Sequence, residues 1–126
     1  MEDMLYIVNG PPRSKPRMTQ QDKWLEPVRP PVAKYREYKA RIQAVVPGCA
    51  RKDWGEFPCR VDLVFYMAHK TLRGFHKLTR RNDIDNMAKA VLDSMFEDDA
   101  GVCWLTARKV LCDPSETRTE ITLTKL

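Results

Sequence analysis

Apolar and polar positions follow recognisable periods along much of the chain. Met4 to Val8 is β-branched and aromatic, and Asn9-Gly10-Pro11-Pro12 stops it, which predicts a first strand. In VRPPVAKYREYKARIQAVV the residues Tyr35, Tyr38, Ile42 and Val45 recur at helical steps, so a helix is expected from about Pro31 to Val46, ended by Pro47-Gly48. Its Lys34, Arg36, Lys39 and Arg41 would form a solvated face. Cys59 to Ala68 is rich in strand formers: Val61, Leu63, Phe65 and Met67 line one side, and Val64 and Tyr66 leave the other half covered. The clearest helix is DIDNMAKAVLDSMF, in which Ile84, Met87, Ala88, Val91, Leu92 and Met95 make one apolar stripe. Val102–Cys112 and Thr117–Leu126 read as strands, and the turn signal Asp113-Pro114-Ser115 between them predicts an antiparallel hairpin.

Two basic stretches separate these elements. PPRSKPRMTQQDKW carries Arg13, Lys15, Arg17 and Lys23 among prolines that exclude regular helix, so an extended basic loop is expected. HKTLRGFHKLTRRN holds Lys70, Arg73, Lys77, Arg80 and Arg81 without an acid and reads as a long basic loop between strand and helix. Charge runs are usually solvated surface. This one directly precedes an acidic motif, which favours a role facing nucleic acid.

A length of 126 residues suits one domain, 1–126, and no internal repeat divides it. Net charge is +5, which points to an acidic partner, and nucleic acid is the usual one. The four cysteines, Cys49, Cys59, Cys103 and Cys112, form no C-x-x-C, and His69 and His76 are not at zinc-ligand spacing from them. Cys59 and Cys103 lie in apolar runs and are expected as buried thiols. The opening MEDMLYIVNG is too short in its apolar part for a signal peptide, and no run suits a membrane span. A cytoplasmic protein is expected.

The candidate chemistry brackets the clearest helix. Asp83 and Asp85 stand at its front. If the chain is still extended there, both carboxylates address one point; if it is already helical, they diverge by about 200°. Capping and the helix dipole account for one Asp, less well for two with Asn86 beside them. The second cluster is Glu97, Asp98 and Asp99, about 20 Å of helical rise away, so the two meet only if the chain folds back. Carboxylate oxygens are natural ligands of Mg²⁺, and three aspartates can hold one ion, or two about 4 Å apart, for phosphodiester hydrolysis. An EF-hand does not fit, because Ala88 replaces the loop glycine and Ser94 the final Glu. Lys89, at i+4 from Asp85, is either a surface ion-pair partner or a fixed cation beside the scissile phosphate.

Asp83-Ile84-Asp85-Asn86, then Lys89, Asp93, Asp98-Asp99 and Lys109, resembles the RusA family of Holliday junction resolvases, found in bacteria and often encoded by phages and prophages. The segment GPPRSKPRMTQQDKW is similar to the basic, proline-punctuated stretch after the first strand of phage-type members. The resemblance implies a small α/β (α+β) domain, a mixed sheet of about four or five strands with two main helices. It implies a homodimer that cuts a four-way DNA junction with paired symmetric nicks, using Mg²⁺, with Mn²⁺ as a substitute. The family's metal-binding catalytic acids map onto Asp83, Asp85 and Asp99, and its helix lysine onto Lys89. Asp98 is the lesser partner of its pair, and Asp93 supports the helix or the dimer. Arg13, Lys15, Arg17, Lys77, Arg80 and Arg81 are expected to grip DNA phosphates. Three positions depart from the pattern: Asn82 replaces a basic or proline residue, the link Ser94–Glu97 is short, and Gly101 replaces a larger polar residue. Two rival functions remain at this point: a non-cleaving binder of branched DNA, and a metal-dependent enzyme acting on nucleotides.

Overall fold

The structure, a computed structural model, describes residues 3–16, 29–48, 51–52, 57–69 and 71–126. Four strands form one mixed sheet: β1 (Asp3–Asn9), β2 (Cys59–Met67), β3 (Val102–Leu111) and β4 (Arg118–Lys125), in the order β1-β4-β2-β3. Three helices accompany them among the described residues: α1 (Pro30–Val45), α2 (Leu72–Arg81) and α3 (Ile84–Met95). The expected small α+β domain with a mixed sheet is what the chain forms.

Alternation decides which face of the sheet is covered. Along β2 the residues Cys59, Val61, Leu63, Phe65 and Met67 are buried, and those between them are half-buried. β4 pairs antiparallel with both β1 and β2, setting Val61 opposite Leu123 and Leu63 opposite Ile121. These side chains join Tyr35, Tyr38 and Ile42 of α1 and Met87, Val91 and Met95 of α3 in one core. α1 begins with prolines in its first turn, where a missing N–H costs nothing, and ends where Val46 N–H donates to Ile42 O at 2.9 Å, just before Pro47.

The expected β3–β4 hairpin does not form. β3 instead lies at the sheet edge, parallel to β2, and β4 sits on the other side of β2. Parallel neighbours need a long crossover, and the chain between β2 and β3, with α2 and α3, provides it. Burial explains the choice. Thr119, Ile121 and Leu123 of β4 are fully buried and need neighbours on both sides. On β3, Leu105 and Leu111 remain exposed and Lys109 half-exposed, which suits an edge. The chain leaves β3 across the end of β2, where Cys112 N–H donates to Met67 O at 2.9 Å.

The second basic stretch is also different from expectation. It is helical over most of its length, as α2. Thr71 caps it by accepting from Gly74 N–H at 3.0 Å, and Phe75 and Leu78 pack against the core. Arg80 and Arg81 occupy its last turn, where the helix dipole favours cations, and Lys109 Nζ donates to Thr79 O at 2.8 Å in the same turn. Of the two thiols expected in the core, Cys59 is buried but Cys103 is exposed on edge strand β3. Cys49 lies outside the described residues.

Candidate active site

α3 starts immediately after a sharp change of backbone. Asp83 is extended (φ −59°, ψ 134°) and its side chain makes no capping bond; its carbonyl accepts from Met87 N–H at 3.0 Å. Asp85 lies in the first helical turn, where the dipole favours an acid. Asp83 and Asp85 therefore straddle the helix boundary. At the other end, Phe96 is buried and its N–H closes on Leu92 O at 2.9 Å, so the helix stops against the core and the chain turns back at once.

That turn sorts the two rear aspartates. Asp98 Oδ1 accepts from Ala100 N–H at 2.9 Å and its side chain borders a separate cleft with Arg51 and Lys52. Asp99 O accepts from Val102 N–H at 2.9 Å, which starts β3, while Gly101 O accepts from Cys59 N–H at 2.9 Å and ties the turn to β2. The short link from Ser94 to Glu97 thus leads directly into a turn that the sheet itself holds.

Asp85, Lys89, Asp93 and Asp99 line one open cleft of about 500 Å³, floored by Ile84, Ala88 and Leu92 of α3 and by Leu105 and Ala107 of β3. The fold-back that the sequence required of the two acidic clusters is made by the edge position of β3, alongside α3. Asp83 is exposed at the helix entrance and is not among the residues lining this cleft. Among the described residues no three His, Cys, Asp or Glu side chains stand together closely enough to hold a metal ion. What the cleft offers is Asp85 and Asp93 of α3 and Asp99 from the turn before β3, with Lys89 on the same helix face as the first two.

The other candidate cations among the described residues do not line this cleft. Lys77 and Arg81 line a groove of about 520 Å³ on α2 with His69 and Arg73, all from the second basic stretch. Their spacing of four residues puts Arg73, Lys77 and Arg81 on one helix face, about 6 Å apart along the axis. Arg80 is exposed on the same helix. Arg13 borders a more apolar groove with Pro11, Pro12, Met67 and Leu78. Arg17 lies outside the described residues. Lys15, expected to grip phosphate, instead makes an ion pair with Asp93 at 2.7 Å. That hydrogen bond holds the Lys15 ammonium above the usual lysine value. Asn82, where the pattern expected a basic or proline residue, caps the end of α2. It accepts from Ser14 Oγ at 2.9 Å and donates to Leu78 O at 2.8 Å. No local signal in the sequence joins residues 14 and 15 to 82 and 93.

The opposite face of the sheet carries stacked and paired side chains. Arg60 stacks on Trp104 at 3.9 Å and pairs with Asp62; Arg118 stacks on Tyr66 at 3.7 Å and pairs with Glu120. Leu5, Ile7 and Trp104 are exposed there. No helix among the described residues is long and apolar enough to cross a membrane.

No curated protein matches the sequence. The family description of endodeoxyribonuclease RusA matches residues 9–124, from the end of β1 to the end of β4, and so includes every element that shapes the cleft. The chain belongs to the RusA endodeoxyribonuclease family.

Proposed function

We propose that the protein is a Mg²⁺-dependent, structure-selective endodeoxyribonuclease that resolves Holliday junctions by paired symmetric nicks in DNA recombination and repair. One observation carries this reading: Asp85 and Asp99, from opposite ends of α3, share a cleft with Lys89. The donor set suits Mg²⁺, which binds through one or two carboxylates together with waters and substrate phosphate oxygens. Asp85 and Asp99 would hold the ion, with Asp83 approaching from the helix entrance; Mn²⁺ fits the same oxygens. When bound, the ion supplies Lewis-acid polarisation of the phosphodiester and acidifies water. Lys89 stabilises the negative charge that grows on the phosphoryl oxygens in the transition state. Arg13, Lys77, Arg80 and Arg81, joined by Arg73, hold neighbouring phosphates; such contacts position DNA with little sequence information and weaken steeply with salt.

Paired nicks need two sites related by a two-fold axis, as the junction arms are. The open sheet face fits a second copy of this chain better than it fits DNA. Its Arg60 and Arg118 are already neutralised by Asp62 and Glu120, and Leu5, Ile7 and Trp104 leave apolar surface between them. A homodimer closed through this face leaves the cleft and α2 open on both protomers.

The test uses a synthetic four-way junction with Mg²⁺ or with EDTA, beside linear duplex and free nucleotides. Symmetric nicks are expected only with junction and metal. Asp85→Asn is expected to abolish them while binding stays intact or strengthens. Cleavage retained by that variant overturns the assignment, and junction binding without any cleavage by the wild type leaves a branched-DNA binder instead.

A further inference from the structure

Asp85, Lys89 and Asp93 follow one another at steps of four along α3, so they form a single acid–base–acid stripe facing the cleft. Lys89 therefore has a carboxylate on either side. Of the two, Asp93 is bound from outside the helix, by Lys15 Nζ at 2.7 Å. Lys15 reaches it from the segment that follows β1. That segment is fastened to α3 and its entrance by Ser14 to Asn82 and by Lys15 N–H to Asn86 O at 3.4 Å. Both members of the pair are about one-third exposed, at 32% and 33%, so the pair stands at the rim of the cleft, partly shielded from water.

We propose that Lys15 is a positioning residue for this cleft: by neutralising Asp93 it removes a carboxylate that would otherwise compete with the phosphate for Lys89. The inference rests on the nuclease reading. It differs from a phosphate-gripping role, because Lys15 acts through Asp93 and not on DNA. It also differs from a plain tether, because the charge on Asp93 is what must be cancelled. An unpaired Asp93 would draw Lys89 along the helix toward itself and repel the approaching backbone.

Four variants decide the matter: Lys15→Met, Lys15→Arg, Asp93→Asn and the combination of Lys15→Met with Asp93→Asn. Each is measured for thermal midpoint, for affinity to a labelled four-way junction in EDTA, and for single-turnover cleavage with Mg²⁺. Lys15→Met is expected to lower affinity about fivefold and the cleavage rate about tenfold, from an uncompensated charge close to the phosphate. Adding Asp93→Asn is expected to restore both to within about twofold of wild type, although the ion pair is still absent. Lys15→Arg, which keeps the pair, stays near wild type. Failure of Asp93→Asn to rescue Lys15→Met overturns the proposal in favour of direct phosphate contact. Equal losses in Lys15→Met and Asp93→Asn, with matching falls in thermal midpoint, overturn it in favour of a tether. If the wild type binds junctions but does not cut them, the nuclease reading fails while the rescue of affinity still reports on the pair.

Discussion

Tyr38 and Thr119 offer a measurement of what joins α1 to the centre of the sheet. Tyr38 is 2% exposed and Thr119 fully buried, and their hydroxyls are hydrogen-bonded to each other. Every described buried side-chain polar atom has a partner, so the pair sits in an interior without spare donors or acceptors. Tyr38→Phe removes one hydroxyl and strands the other. The expected cost is about 1–3 kcal/mol, the desolvation penalty of an unsatisfied buried group. Thr119→Val, of similar shape, strands the Tyr38 hydroxyl at a similar cost. With both replaced, no polar group is left unpaired, and the double variant should lie within about 1 kcal/mol of wild type. The coupling, the two single losses less that of the double variant, is then about 3 kcal/mol when each single loss is about 2 kcal/mol. Urea unfolding followed by circular dichroism reads it, with unchanged m-values as the sign that only stability has moved. For a domain of this size each kcal/mol shifts the thermal midpoint by about 3–5 °C. If the double variant loses the sum of the single losses, the pair contributes by packing alone and the hydrogen-bond account is wrong.

Other expectations rest on different parts of the molecule. Burial raises the Tyr38 phenol above its ordinary value of 10.0, so the folded state holds this proton more tightly than the unfolded one. Its contribution to stability is complete below about pH 10 and declines as pH climbs from there toward the folded value. Tyr38→Phe should flatten that alkaline limb in urea titrations, and an unchanged limb would assign it to other groups. Lys109→Met removes the bond to Thr79 O and a cation from the end of α2, and should cost about 1 kcal/mol. Hydrogen exchange should rise selectively at the amides of the last turn of α2; uniform exchange across the domain would refute a local role. Trp104→Asp on the open sheet face should shift sedimentation from dimer to monomer and remove paired nicking, while duplex affinity per protomer persists. A variant that stays dimeric would move the interface elsewhere.

Much of this was legible because burial writes a period into the sequence. β2 and α3 each present one fully covered face, and their alternation and helical stripe give them away. α2 is hidden because its inner side is marked by little more than Phe75 and Leu78, within a run of cations. The missing hairpin has another cause. A short link between β3 and β4 suggests adjacency, yet pairing is settled by which strand can fill the centre, and Ile121 and Leu123 do so where Leu105 and Lys109 cannot. Cys103 misled for the same reason: an apolar run on an edge strand need not be buried. The acids were conspicuous as types at a spacing, but their meeting depends on where β3 lies. The Lys15–Asp93 pair, 78 residues apart, leaves no trace that a local reading could follow.

The strand order has a temporal consequence. β4, made after the other three, occupies an interior place between β1 and β2. The sheet therefore cannot close until residues 118–125 are made, because β4 is the strand that joins β1 to β2. The acids of α3 emerge earlier, on an unfinished frame. On the proposed nuclease reading, translation thus delivers Asp85 and Asp99 before the strand that completes the sheet behind them.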